Sequence, residues 1–504
     1  MRCNSTGFLI GAVIIGGLLF PGAALPPEKS PASYSCPSPS KVFKRKIAGN
    51  YELNAQVRDN GSGAVLRVFF SAAENLGSFG FMDITKTGFK VGRKIEDTTV
   101  VWKEYSGVGG PPWQIRVLKK GNFFRFWVNG VTGWIRGPFG EWERRYDAWD
   151  SYVGLEVGSD AVVSSLTVTT LPWLSQITAP VIKKGDQGSF YEEQAIPGAV
   201  ILYRDKYYMY FMAGMKGEQE GGSRRSVGVA VSTDLRSWTV QPEPVLSYKS
   251  FPYDNLYVNG AVVTPEGKIA VMFSAQQFPE WKGFMLATAD TPLGPFTPYP
   301  NNPVYKHFTH AHEFDLVRVD QPDCRYILLY AGFTPKPKTG PVGDRGYLLF
   351  SNDLIHWKAH PDNPVFSPET LNDWDAVHIR PRSLNKIGDT WYLWYEGCNT
   401  WTPPHLGYDG WWDTVGLARS KDLLHWEYYP RNPALPGLGV GSEQFDNKWV
   451  GWPRMVVKDG IGYVFYTGGS PDREGGVHIG LRTISLNALT NWETEGGETI
   501  DMLQ

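Results

Sequence analysis

Cysteine is scarce in this chain: Cys3, Cys36, Cys324 and Cys398 are all that 504 residues contain. So scattered a set offers neither a disulfide framework nor the ligand spacing of a zinc site, and Cys324 could pair with Cys398 only if folding brought their Cα atoms within about 7 Å. Net charge is almost absent as well. Lys and Arg total 49 against 51 Asp and Glu, a balance that argues against nucleic acid as a partner. The apolar run Phe8–Phe20 falls short of the ~20 residues that a membrane-spanning helix needs. It follows Arg2 and leads into Pro21-Gly22-Ala23-Ala24, small residues of the kind export peptidases cut after. Residues 1–24 therefore read as a signal peptide, and the mature protein as secreted, periplasmic or at the cell surface without stable membrane insertion. A retained anchor is the competing reading. Residues 25–40 are rich in Pro and Ser and read as a linker.

What the chain has in quantity is 56 Gly, 37 Pro, 26 Phe, 25 Tyr and 20 Trp. With 42% hydrophobic and 20% charged residues it is not disordered, and its length exceeds one ordinary domain. Turns and aromatic strands should dominate, so the fold class is all-β. The tryptophans either fill cores or stack on ring-shaped ligands.

From 41 to 172 no helical period of useful length appears. Alternating runs such as Tyr51–Val57, a hairpin over Trp113–Gly130 with a Lys120-Gly121-Asn122 turn, and closing runs Val153–Val157 and Ser165–Val168 predict a β-sandwich. The pattern resembles the concanavalin/laminin-G-like jelly rolls often appended to carbohydrate enzymes, which implies a sugar-binding or spacer role. Trp113 and Trp127 read as core aromatics before they read as sugar platforms.

Beyond Trp173 the sequence repeats itself. A strand followed by a turn and an aromatic appears as Val227–Trp238 with Ser232-Thr233-Asp234-Leu235. It returns over Gly283–Phe296 with Asp290, over Gly346–Trp357 with Ser351-Asn352-Asp353-Leu354, and over Val415–Trp426 with Ser420-Lys421-Asp422-Leu423. Val477–Leu481 is a degenerate fifth copy. The aspartates read as turn caps. Pro244-Val245, Pro303-Val304, Pro364-Val365 and Pro433-Ala434 follow as outer-strand starts, and Pro180-Val181 stands before the first copy, as a ring requires if its last sheet is closed by a strand from the front. Five radial four-stranded sheets make a five-bladed β-propeller over 177–490, with residues 491–504 as a tail.

These strands, the Ser-x-Asp-Leu-x-x-Trp turns and the pairs Asn302-Pro303, Asn363-Pro364 and Asn432-Pro433 resemble the five-bladed glycosidase superfamily of arabinanases, xylosidases, invertases and mannoside phosphorylases. The resemblance spans the repeat region. It implies an active site in the axial funnel, with an Asp base or nucleophile, a supporting Asp and a Glu acid from blades one to three. Where that superfamily has Asp-Pro in blade one, this chain has Ile196-Pro197 with glutamates upstream.

Counting back along each innermost strand from Pro197 or its equivalent, with Asn259 placed opposite Pro197, puts Glu192, Gln194, Asp254, Glu313, Asp315, His378, Arg380 and Trp452 on one face. Asp375 and Asp446 fall out of phase, as structural partners of the leading turn. Glycoside hydrolysis needs one protonated and one ionised carboxyl flanking the bond. The expected roles are Glu192 as base or nucleophile, Asp254 as orienting carboxylate and Glu313 as general acid. Glu193, Asp315 and Asp375 are the alternates. Gln194, His312, His378, Arg380, Trp452 and Trp411 are the expected substrate contacts. Arg380 and Arg382 could clamp a phosphate or carboxylate, or neutralise the acid ring. His310, His312 and His378 suit hydrogen bonding to sugar hydroxyls better than metal ligation, so no metal or cofactor is expected, a structural cation near the axis being the one exception left open. The Gly/Pro-rich insertion carrying Trp401, Tyr408, Trp411 and Trp412 could stack on sugar rings. The leading function is a secreted glycoside hydrolase on a poly- or oligosaccharide. A phosphorylase and a non-catalytic carbohydrate-binding propeller are the alternatives.

Overall fold

The computed structural model describes residues 41–503 apart from 60–65, 74–75, 96, 122, 137–149, 159–160, 172–174, 177–178, 217–222, 278–279, 308–310, 335–341, 370–372, 399–413, 436–444, 447–448, 470–475 and 493–496. The expected signal peptide and linker, His310, and the insertion with Trp401, Tyr408, Trp411 and Trp412 lie outside the described residues, as does the side chain of His312. Every long element is a strand, and among the described residues the only α-helix is Leu486–Thr490. The chain is all-β.

The N-terminal region is two six-stranded antiparallel sheets. One runs Lys41–Ala48, Asp150–Val157, Leu66–Ala72, Ser78–Ile84, Gly88–Ile95, Thr98–Ser106. The other runs Thr499–Asp501, Ala161–Leu171, Asn50–Asp59, Trp113–Lys120, Phe123–Val128, Val131–Arg136. Period-two alternation puts Tyr51, Leu53, Ala55 and Val57 into a core shared with Leu66, Val68, Phe70 and Met82 of the facing sheet. Trp113 belongs to that core. Trp127 does not. It is half-buried with the guanidiniums of Arg116 and Arg125 at 4.3 and 4.7 Å from its ring centroid. The C-terminal residues read as a tail return to this region, Thr167 pairing with Asp501.

Among the described residues, the remaining strands fall into five four-stranded groups, here called units one to five. Unit one is Gln194–Tyr203, Lys206–Lys216, Ser223–Ser232, Thr239–Val240. Unit two is Asn255–Val263, Ile269–Gln277, Glu280–Ala289, Thr297–Pro298. Unit three is Ala311–Gln321, Cys324–Thr334, Gly343–Ser351, Lys358–Ala359, and unit four is His378–Ile387, Thr390–Cys398, Thr414–Ser420, Glu427–Tyr428. Unit five has Trp449–Lys458, Ile461–Gly469 and Val477–Ser485, and takes its fourth strand, Ser175–Gln176, from the front.

The short fourth strands differ from expectation. In units one to four they directly follow the turn aromatic, and the segments starting at Pro244, Pro303, Pro364, Pro433 and Pro180 make single-residue bridges to the third strand: Val227 with Leu246, Phe284 with Tyr305, Gly346 with Phe366, Val415 with Leu435, and Ile182 with Ile479. In units two, three and four the Asn before the Pro holds this geometry. The side-chain amide of Asn302 accepts from Leu286 N (2.9 Å) and donates to Leu286 O (3.0 Å), standing in for a ladder residue. Asn363 and Asn432 do the same on Leu348 and Leu417.

Apolar clusters lie between consecutive units. Tyr210 and Met212 pack with Leu256 and Phe273, Met272 and Phe284 with Leu328 and Tyr330, Leu329 with Ile379 and Leu393, Trp394 with Val464 and Tyr466. The last cluster joins Phe465 and Leu481 of unit five to Ala195 and Met209 of unit one. The first strands touch in the same cyclic order.

The two regions share a core: Phe123 and Trp134 of the N-terminal sheet pack in one cluster with Trp374 and Tyr395 of unit four. Beside it the buried Arg125 guanidinium pairs with the buried Asp373 carboxylate. Cys324 and Cys398 are not joined to each other by a disulfide.

Candidate active site

The first strand of each unit is bulged where the units converge, and the bulges decide which side chains meet. In unit one the pairing shifts between Pro197 and Ala199, in unit two between Val258 and Gly260, in unit four between Pro381 and Ser383. Val258 faces Phe273 as Pro197 faces Phe211. This corrects the placing of Asn259 opposite Pro197: Asn259 is the extra, bulged residue, equivalent to Gly198 and Arg382, so Asp254 is one place out of the expected phase. Unit one can only have Gly at its bulge, because a Cβ on Gly198 would stand 2.5 Å from Val258 Cγ1.

Glu192 and Asp254 lie in the turns before the first strands. Glu192 Oε2 accepts from Gly188 N at 2.7 Å, and Asp254 Oδ1 is 3.3 Å from Arg224 Nη1. Glu193, half-buried, uses its backbone, donating to Gly214 O and accepting from Val477 N. Glu313 sits inside the first strand of unit three and is buried. Its Oε1 is 2.7 Å from Arg382 Nη2 and its Oε2 is 3.5 Å from Arg380 Nε. Arg380 Nε also donates to Asp344 Oδ2 (2.7 Å), which His378 Nδ1 reaches at 2.8 Å. Arg382 Nε donates to Glu396 Oε2 at 2.8 Å. The other oxygen of Glu396 accepts from the backbone of Trp452, a residue at φ +47° whose ring lies 4.5 Å from the Arg382 guanidinium.

Asp315, two residues on in the same strand, accepts from Leu384 N (2.6 Å) and Leu316 N (3.0 Å) and faces Arg454 at 3.4 Å. Burial pushes its carboxyl above the ordinary value, with Arg454 and the two amides opposing. Asp375 is buried and accepts from Tyr395 OH at 2.9 Å; burial, reinforced by Asp373, lifts its carboxyl to about 7. Asp446 makes the matching bond with Tyr466 OH at 2.6 Å and adds Arg482 at 2.8 Å.

The structure thus brings Glu313, His378, Arg380 and Trp452 into one network. Several of its members carried no signal in the sequence: Asp344, Glu396, Arg454 and, on the unit-two side, Tyr257 and Trp281. Tyr257 OH accepts from Arg225 at 2.9 Å and its ring lies 4.9 Å from that of Trp281. Burial raises the Tyr257 phenol, Arg225 opposes the rise, and the nearby Glu313 charge adds to it. Gln194 Oε1 accepts from the same arginine at 3.2 Å. One signal could have located part of this set. Arg225 and Asp344 stand at one register position near the start of the third strands of units one and three, opposite Gly214 and Phe333.

Arg380 and Arg382, read as a clamp for phosphate or as neutralisers of acids, hold Glu313, Asp344 and Glu396. Opposite charge at these distances favours the ionised carboxylate. That works against Glu313 as a proton donor and suits it to act as an ionised group. Among the described residues no group of three or more His, Cys, Asp and Glu is arranged to hold a metal ion, and no helix is long and apolar enough to cross a membrane.

No family model matches the chain, and no curated protein matches it. Solved structures of similar shape include a thermostable family-43 glycoside hydrolase, at 18% identity over 59% of this chain and 91% of that one, with a TM-score of 0.45. A glycosyl hydrolase from Bacteroides ovatus is 17% identical over 62% and 92%, with a TM-score of 0.45. A β-1,2-mannobiose phosphorylase from Listeria innocua is 12% identical over 63% and 98%, with a TM-score of 0.47.

Proposed function

We propose that units one to five are the blades of a five-bladed β-propeller, that the N-terminal sheets are a jelly-roll domain docked on it, and that the exported protein is a carbohydrate-active enzyme cleaving glycosidic bonds at the convergence of the inner strands. The observation that carries this is the grouping of Glu313 with Arg380 and Arg382, set beside the aromatic faces of Tyr257, Trp281 and Trp452. Carboxylates supply the chemistry of glycosidic cleavage and aromatic rings supply stacking surfaces for sugars. Glu313 is the ionised member of the carboxyl pair, and Glu192 or Asp254, on the leading turns, is its partner. A second reading has the same geometry in its favour: arginines that neutralise every central acid suit a non-catalytic propeller that binds glycan.

A panel of plant and algal glycans, assayed with and without phosphate, separates the readings. Sugar release in water supports hydrolysis, release dependent on phosphate supports phosphorolysis, and binding without release supports the second reading. Cleavage by the wild type that is undiminished in Glu313→Gln sinks the role given to Glu313.

A further inference from the structure

We propose that the glycan taken at this site is anionic, and that Arg225 receives its carboxylate or sulfate group. The proposal rests on the glycan reading above and adds a substrate class to it. Arg225 and Asp344 occupy one register position in units one and three, opposite Gly214 and Phe333. Their surroundings differ. Asp344 is buried and its carboxylate is held by Arg380 Nε and His378 Nδ1.

Arg225 is half-buried and reaches only neutral side chains: Gln194 Oε1 at 3.2 Å, Tyr257 OH at 2.9 Å and Asn255 Oδ1 at 3.5 Å. Among the described residues no carboxylate lies within ion-pair distance of it. The neighbouring charges are matched: Arg224 faces Asp254, and Glu313 has Arg382. Arg225 is left as a partly desolvated cation beside the Tyr257 and Trp281 rings, held in a fixed pose by three acceptors. A planar guanidinium so placed matches the flat, charge-sharing oxygens of a carboxylate or sulfate.

The test is binding of oligogalacturonate, oligoalginate and sulfated galactan oligosaccharides against their carboxyl-reduced or desulfated counterparts. Wild type, Arg225→Gln and Arg225→Lys are compared at two salt concentrations, with thermal melting as a control for folding. Wild type should favour charged over neutral members by about tenfold or more, the span of one charge-assisted contact, with the preference shrinking in high salt. Arg225→Gln should level the two sets, and Arg225→Lys should keep part of the preference. The subset preferred, uronate or sulfate, names the anion. Equal binding of charged and neutral members by wild type, or an undiminished preference in folded Arg225→Gln, overturns the proposal while leaving the glycan reading standing. Binding of no oligosaccharide at all removes both.

Discussion

Arg382 Nη2 stands 2.7 Å from Glu313 Oε1, in a side chain with no solvent exposure. The same guanidinium holds Glu396 and lies against Trp452, so one buried cation links units three, four and five. Replacing it with Met takes one counter-charge away from two buried carboxylates, a loss that costs about 3–5 kcal/mol. Denaturant unfolding of Arg382→Met should show a loss of that order. Arg382→Lys should recover only part, since an ammonium cannot serve both carboxylates with a planar fork.

On the enzyme reading, Glu313→Gln, Glu192→Gln and Asp254→Asn separate the acids. Loss of a group that attacks or moves a proton costs about 10²–10⁴-fold in rate. The expected outcome is a loss of that size for Glu313→Gln and for one of the other two. Turnover of the preferred glycan, measured with melting curves, checks it. Equal rates for all three variants would mean that the chemistry lies elsewhere.

Asp375, lifted to about 7 from an ordinary 3.8 by burial, gives the stability a pH dependence. The folded state keeps this proton where the unfolded chain has released it. The contribution is therefore full below about pH 4 and is lost as pH rises to about 7. Asp375→Asn removes the titration. Melting temperatures of wild type and variant, followed from pH 4 to 8, should diverge in slope over that window, the wild type falling more steeply.

Asp234 works in the opposite sense. The backbone amides of Ser237 and Arg236 bond its carboxylate, at 2.7 and 2.8 Å, and hold it at about 2. Stability from this turn is present above the ordinary carboxylate value and is lost as pH falls through about 2. Asp234→Ala should cost about 1 kcal/mol, as loss of a comparable cap does, and should leave glycan binding unchanged.

Phe123 of the N-terminal sheet meets Trp374 of unit four edge-on, 6.4 Å between ring centroids. Phe123→Ala opens a cavity in a core shared by the two regions, at a cost of about 3–5 kcal/mol. If the regions unfold as one, calorimetry should show a single transition moving down. If the shared core contributes nothing, the melting curve stays where it was.

The amino-acid sequence by itself determined the repeat and its turns, because the forces there act over a few residues. Ser232, Asp234, Leu235 and Trp238 bond one another's backbones within a single turn, and Ser351–Trp357 and Ser420–Trp426 repeat the pattern. Alternation along Tyr51–Val57 marked a half-buried strand for the same local reason. That a segment from the front of the repeat region joins its last strands was also legible, since Pro180-Val181 carries the same signal as its four copies and Ile182 bridges Ile479. Only the tertiary structure decided the site. A β-bulge inserts one residue into the count along a strand, so counting back from the bulged Asn259 instead of Val258 put Asp254 one place out of phase. The partners of Glu313 come from Arg380 and Arg382, a full unit away in the chain. Whether those arginines meet phosphate, sugar or carboxylate depends on which strands converge, and it is the convergence that placed them on Glu313, Asp344 and Glu396 and left Arg225 among neutral acceptors.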